Sequence, residues 1–158
     1  MKIISTAVAA PSSKRRGLMS MIDNISWNYF CTFTSSYYLS LSACRTLMWD
    51  YYKRIRKYDG EIFFVAEPFS EKLGYHIHAL VFVPKESVKA KALGVKYYER
   101  MWQEVSNNKR NRCLVTIFDP SRKANMYITK DLMLIDESNF DLYNRSEKLT
   151  ETTTNKNK

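Results

Sequence analysis

Apolar side chains recur along this chain with two different periods, and the switches between them mark its elements. Trp27 to Thr34, WNYFCTFT, is dense in aromatic and β-branched residues, which predicts a first strand. Ser35 or Ser36 is placed to cap the helix that follows. Over residues 37–58, Leu41, Cys44, Met48, Tyr51, Ile55 and Tyr58 return at steps of three and four, one face of a helix. Lys53, Arg54, Arg56 and Lys57 crowd its last turns, where the helix dipole favours cations. Asp59-Gly60 is expected to end it through the left-handed geometry that glycine accepts. Residues 61–83, EIFFVAEPFSEKLGYHIHALVFV, read as two apolar strands joined by a short loop and closed by Pro84. A second helix is expected through much of 87–106, capped by Ser87, with Tyr98, Met101, Trp102 and Val105 inward. Gly94 either splits it or marks a later start. Cys113 to Phe118 is another strand by composition, and Asp119-Pro120-Ser121 opens a short helix over about 121–133.

The resulting order, β-α-β-β-α-β plus a helix, predicts an α+β protein. Its expected form is ferredoxin-like (RRM-like), an antiparallel sheet backed by helices. Residues 25–135 would form this single domain. Residues 1–24 are expected to be a mobile basic leader, with Ser13-Lys14-Arg15-Arg16-Gly17 as a solvated basic patch. Residues 136–158 are expected to be a weakly structured to disordered polar tail.

Charge adds a class of partner. Lys and Arg number 25 against 16 Asp and Glu, a formal net charge of +9 at pH 7. Such a surplus on 158 residues points to polyanions, nucleic acid first and an anionic membrane second. No apolar run reaches the roughly 18 residues a membrane span needs, and the opening MKIISTAVAA is too short and broken for a secretion signal. Cys31, Cys44 and Cys113 have no CxxC spacing and sit in apolar runs. They read as free thiols in a reducing compartment, the cytoplasm of a cell rather than the outside.

Candidate chemistry sits in the middle of the chain. Both histidines of the protein, His76 and His78, lie two apart on one predicted strand, so they face the same way about 7 Å apart. Glu67 ends the preceding strand. If the two strands pair so that Glu67 lies across from His76, one carboxylate and two imidazoles share a face, a site for Mg²⁺ or Mn²⁺ with positions open to water or phosphate. The ordinary occupation of such histidines is a solvated or hydrogen-bonded place on a half-buried strand. On the last predicted helix, Tyr127 and Lys130 stand three apart with Lys123 one turn back, while Ala124, Ile128 and Leu132 form the stripe that would dock on the sheet. A tyrosine becomes a useful nucleophile when a cation stabilises its phenolate.

These residues carry a resemblance. His76-Ile77-His78, followed by Ala79-Leu80, resembles the HUH motif of rolling-circle replication initiators. Phe30-Cys31-Thr32-Phe33-Thr34 is similar to that family's first motif, and Tyr127-Ile128-Thr129-Lys130 to its Tyr-x-x-Lys third motif. Glu67 stands nine residues before His76, where many members place a third metal ligand. The three motifs keep the family order across about two thirds of the chain.

The resemblance implies an HUH endonuclease fold of the single-tyrosine type, in which Glu67, His76 and His78 hold Mn²⁺ or Mg²⁺. Tyr127 attacks the scissile phosphate with Lys130 assisting, leaving a 5′-phosphotyrosine. Thr32, Thr34, Tyr75 and Lys123 are candidate nucleic-acid contacts, with Tyr75 or Tyr29 stacking unpaired bases. The implied substrate is single-stranded DNA or an origin hairpin of a plasmid or small virus. No GxxxxGK[ST] loop occurs, so a separate helicase and polymerase would be needed. Lys123 one turn before Tyr127 departs from the two-tyrosine subgroup. Two other readings compete: a single-strand transposase-like enzyme of the same superfamily, and a non-enzymatic ferredoxin-like module that binds nucleic acid without a metal.

Overall fold

The computed structural model of the protein describes residues 13–122, 128 and 139–144. Its frame is a five-stranded antiparallel sheet in the order β4-β1-β3-β2-β5. In chain order the elements are α1 (Ser13–Asp23), β1 (Tyr29–Phe33), α2 (Leu41–Arg56), β2 (Glu61–Pro68), β3 (Tyr75–Phe82), α3 (Val88–Leu93), α4 (Val95–Val105), β4 (Cys113–Ile117) and β5 (Phe140–Tyr143). From β1 to β4 this is the expected β-α-β-β-α-β order, the two helices falling on one side of the sheet. No helix among the described residues is long and apolar enough to cross a membrane.

Alternation along the strands sorts the core into two layers. Cys31, Phe33, Ile62, Phe64, Ala66, Ile77, Ala79 and Val81 point to the helices, where they meet Met48, Tyr51, Ile55, Tyr98 and Trp102. Phe63, Val65 and Leu80 point the other way and pack with Ile22, Trp27 and Ile128. Both faces of β2 and β3 are therefore covered, which matches their nearly unbroken apolar runs.

Several boundaries differ from the sequence expectation, each for a local reason. Helix α2 is capped by Ser40, whose side chain accepts from Ala43 N at 3.1 Å. Ser36 instead binds Asn111 Oδ1 through its backbone N at 3.0 Å, and Leu39 O accepts from Tyr75 N at 3.1 Å, so the chain runs on beside the start of β3 before it coils. At the other end Asp59, not Gly60, takes the left-handed conformation, with φ 59°. Gly60 is needed for room: a Cβ there would lie 2.7 Å from Ile55 O. Gly60→Ala is expected to cost about 1–3 kcal/mol, as overpacking against backbone does, and urea unfolding would measure it. Gly94, at φ 55°, splits the second helix into α3 and α4.

Two expectations are corrected outright. Part of the stretch expected to be a mobile leader is helix α1, whose Ile22 is buried and whose backbone carbonyl there accepts from Trp27 Nε1 at 2.8 Å. Part of the expected polar tail is strand β5, which pairs with Ile62–Val65 of β2. Arg45 of α2 bonds Asp141, Tyr52 donates to Asn144 O and Asn139 donates to Ala66 O, which fastens that strand in place. The predicted helix over 121–133 lies mostly outside the described residues. Pro120–Arg122 is a 3-10 turn, and Ile128 is helical and buried. The three cysteines are free, Cys31 and Cys44 being buried. Burial pushes the Cys44 thiol up to about 12.

Candidate metal centre

Strands β2 and β3 pair antiparallel with Glu67 directly across from His76, the register in which the three candidate ligands share a face. That register follows from the apolar pattern, because a slip by one residue would turn Ile77, Ala79 and Val81 out of the helix-side core. Glu67, His76 and His78 thus emerge at the end of the layer formed by Val65 and Leu80, on the side of the sheet away from α2 and α4.

The three side chains converge. His78 Nε2 lies 3.1 Å and His76 Nε2 3.5 Å from Glu67 Oε2, and the two Nε2 atoms are 3.1 Å apart. Each of these atoms can offer a lone pair to one spot, an arrangement that a shared proton or a cation relieves. Ligand bonds of about 2.1 Å with neighbouring ligands at right angles place donor atoms about 3.0 Å apart, so the triangle fits one face of such an ion's coordination shell. The remaining positions would be free for water or a phosphate oxygen. The side chains are 19% exposed for Glu67, 18% for His76 and 7% for His78. Partial withdrawal from water strengthens any charge interaction at this spot.

Neighbouring groups fix the rings. Thr32 Oγ1 lies 3.1 Å from His78 Nδ1. A proton on Nδ1 donated to that hydroxyl leaves the Nε2 lone pair directed at the cluster, the usual second partner of a ligating imidazole. Phe30 stacks on the His78 ring at 6.0 Å between centroids, and Phe69 packs on His76 at 4.8 Å with Lys72 Nζ 4.1 Å above it. Thr32→Val keeps the shape and removes the partner. It is expected to weaken Mn²⁺ binding about 10- to 100-fold, which titration calorimetry would measure.

The structure distributes the other candidate residues differently from the expectation. Thr32, expected to contact nucleic acid, meets the His78 ring through its hydroxyl. Thr34 Oγ1 donates to Arg112 O at 3.2 Å, at the end of the β1–β4 pair. Tyr75 and Tyr29 belong to the cluster on the helix face, across the sheet from the imidazoles, and so do not line the centre. Alternation already carried this for Tyr75, which is odd-numbered like Ile77. Of the aromatic residues that do meet the imidazoles, Phe30 carries a sequence signal only as part of the first motif and Phe69 carries none; Phe69 sits just past Pro68, at the hairpin end next to Glu67. Tyr127, Lys130 and Lys123 lie outside the described residues. Ile128, the sequence neighbour of Tyr127, is buried in the layer with Val65 and Leu80, each two residues from a candidate ligand.

No protein-family model matches the chain, and no curated protein matches it. Among solved structures, the hypothetical protein ORF119 from Sulfolobus islandicus rod-shaped virus 1 is similar in fold, with a TM-score of 0.53 at 16% sequence identity. The likeness covers 78% of this chain and 98% of that one, and at such identity it concerns the fold alone.

Proposed function

We propose that this chain is a metal-dependent endonuclease that nicks and rejoins single-stranded DNA through its own tyrosine, the reaction that starts rolling-circle replication of a plasmid or small virus. The observation that carries the reading is the triangle of Glu67 Oε2, His76 Nε2 and His78 Nε2. The ferredoxin-like sheet, the +9 charge and the Tyr-x-x-Lys spacing that follows support it. So does Ile128, anchored on the sheet face that bears the triangle.

In this reading a divalent cation, Mn²⁺ or Mg²⁺, would neutralise charge on a non-bridging oxygen of the scissile phosphate. Glu67, His76 and His78 would hold it, with Thr32 keeping His78 in the ligating tautomer. The Tyr127 oxygen forms a bond to phosphorus as the bond from phosphorus to the 3′ oxygen breaks. The phenolic proton passes to solvent and the departing 3′ oxygen takes one up. Lys130 stabilises the phenolate while it forms. The strand is left with its 5′ end on Tyr127 and a free 3′-OH able to prime synthesis. Because the tyrosyl ester replaces the phosphodiester bond, the reverse step rejoins strands without ATP.

A single-stranded oligonucleotide of randomised sequence, labelled at its 3′ end, tests the reading. With Mn²⁺ the label is expected to move onto the protein and to resist denaturant, and chelation is expected to prevent it. Binding without any such transfer would instead favour a non-enzymatic nucleic-acid module.

A further inference from the structure

On the opposite side of the sheet, the helices enclose a trough that the metal centre does not use. Its first part, a cleft of about 390 Å³, is lined by Arg54 and Lys57 from the end of α2, Lys89 from α3, and Tyr97, Arg100 and Glu104 from α4. A second cleft of about 710 Å³ shares Arg54, Arg100 and Glu104 and continues to Lys109. The two are therefore one continuous depression along the α2–α4 seam.

Its charge is one-sided. Five cations, Arg54, Lys57, Lys89, Arg100 and Lys109, face a single carboxylate, Glu104, and Arg54 already binds that carboxylate through Nη1. Among the described residues no ion pair joins Lys57, Lys89, Arg100 or Lys109 to an acid. Lys57, Lys89, Arg100 and Lys109 are exposed, while the apolar residues of the trough, Leu93 and Met101, are half-buried and buried. The floor thus offers little apolar anchorage and the walls offer cations. Holding like charges around a cleft costs free energy, which an anionic chain lying in it would offset.

We infer that this trough binds the sugar–phosphate backbone of a nucleic-acid single strand. Cations stand on both walls, Arg54 and Lys57 on one and Lys89 and Arg100 on the other, so one backbone lying between the helices reaches both. A protein partner of this size would call for exposed apolar or aromatic anchors, whereas Leu93 and Tyr97 here are only half-exposed and Met101 is buried. A duplex would rest on its rims and reach fewer of the cations. The inference does not depend on the reading of the metal centre, which lies across the sheet.

The test is fluorescence anisotropy of the full chain with labelled poly-dT, in chelator so that the metal centre contributes nothing, over a series of NaCl concentrations. The groove variant is Lys57→Ala/Lys89→Ala/Arg100→Ala. The charge-matched control is Lys53→Ala/Lys91→Ala/Lys96→Ala, exposed on the same helices but outside both clefts. All six positions are surface sites, and thermal melting would confirm that both variants fold. The groove variant is expected to flatten the slope of log affinity against log salt by about 2, from about 0.7 per phosphate contact for a single strand. The control is expected to leave most of that slope, and a blunt duplex to lose less than the single strand. Equal losses in both variants would overturn the inference in favour of diffuse attraction, as would wild-type binding by the groove variant. Displacement of poly-dT by poly-glutamate at matched charge would also overturn it, by showing a site for acidic polypeptide.

Discussion

Tyr127→Phe is expected to abolish the covalent protein–DNA adduct completely while leaving affinity for the single strand unchanged. Phenylalanine keeps the ring and removes only the oxygen that would attack phosphorus, so stability should stay within about 0.5 kcal/mol. Eleven tyrosines compete for the role. Tyr29, Tyr51, Tyr52, Tyr58, Tyr75, Tyr97, Tyr98 and Tyr143 all belong to the cluster on the helix face, across the sheet from the imidazoles. Burial, and then the Glu86 carboxylate that accepts from both hydroxyls, holds Tyr29 and Tyr98 well above the ordinary tyrosine value, which keeps them neutral. Tyr37 donates to Ser106 O, and Tyr38 stands 63% exposed in the loop before α2. Neither has a lysine three residues on. Tyr127 alone combines that spacing with a neighbour, Ile128, buried on the face that carries Glu67, His76 and His78. Denaturing electrophoresis of wild type and variant with Mn²⁺ decides the matter: an adduct at full yield in Tyr127→Phe would assign the chemistry elsewhere.

His78→Ala is expected to remove measurable Mn²⁺ binding, a loss of more than about 100-fold, and cleavage with it. Losing a ligand costs more than losing a ligand's hydrogen-bond partner, for which 10- to 100-fold is usual. His78 is the most enclosed of the three candidate ligands, held by Thr32 on one side and Phe30 on another. Removing it leaves Glu67 and His76 as a two-donor site open to water. The ring is buried, so some stability is lost as well. Far-UV circular dichroism separates that loss from unfolding, and His78→Gln, which retains much of the volume, should repeat the metal defect. Calorimetry showing unchanged Mn²⁺ affinity in a folded His78 variant would refute the metal assignment.

The site was more legible in the sequence than its surroundings. Period-two alternation around Ile77, Ala79 and Val81 sets which way His76 and His78 point, and the short hairpin loop limits the registers available to Glu67. Local pattern and chain connectivity thus determined the metal-ligand candidates and the β-α-β-β-α-β order. Thr32 was legible as a residue of the first motif and a candidate nucleic-acid contact, not as a partner of His78. Its role against His78 Nδ1 arises because β1 inserts beside β3 with Thr32 across from His78, a pairing between residues 46 positions apart.

What covers the second face and the free edge of β2 was decided by tertiary structure. Helix α1 has a weak apolar stripe, and its place is set by Ile22 and Trp27 covering Phe63 and Leu80. Strand β5 has four residues, too few for a period to register, and exists because β2 has a free edge for Phe140–Tyr143 to complete. One sequence signal did bear on the first: the unbroken run Ile62–Ala66 belongs to a strand buried on two faces, so something had to cover the second. Which segments would do so is a matter of long-range packing, and no local period encodes that. The basic trough has the same origin. Arg54, Lys57, Lys89 and Arg100 are ordinary solvated cations on their separate helices, and they become one surface only where α2, α3 and α4 meet.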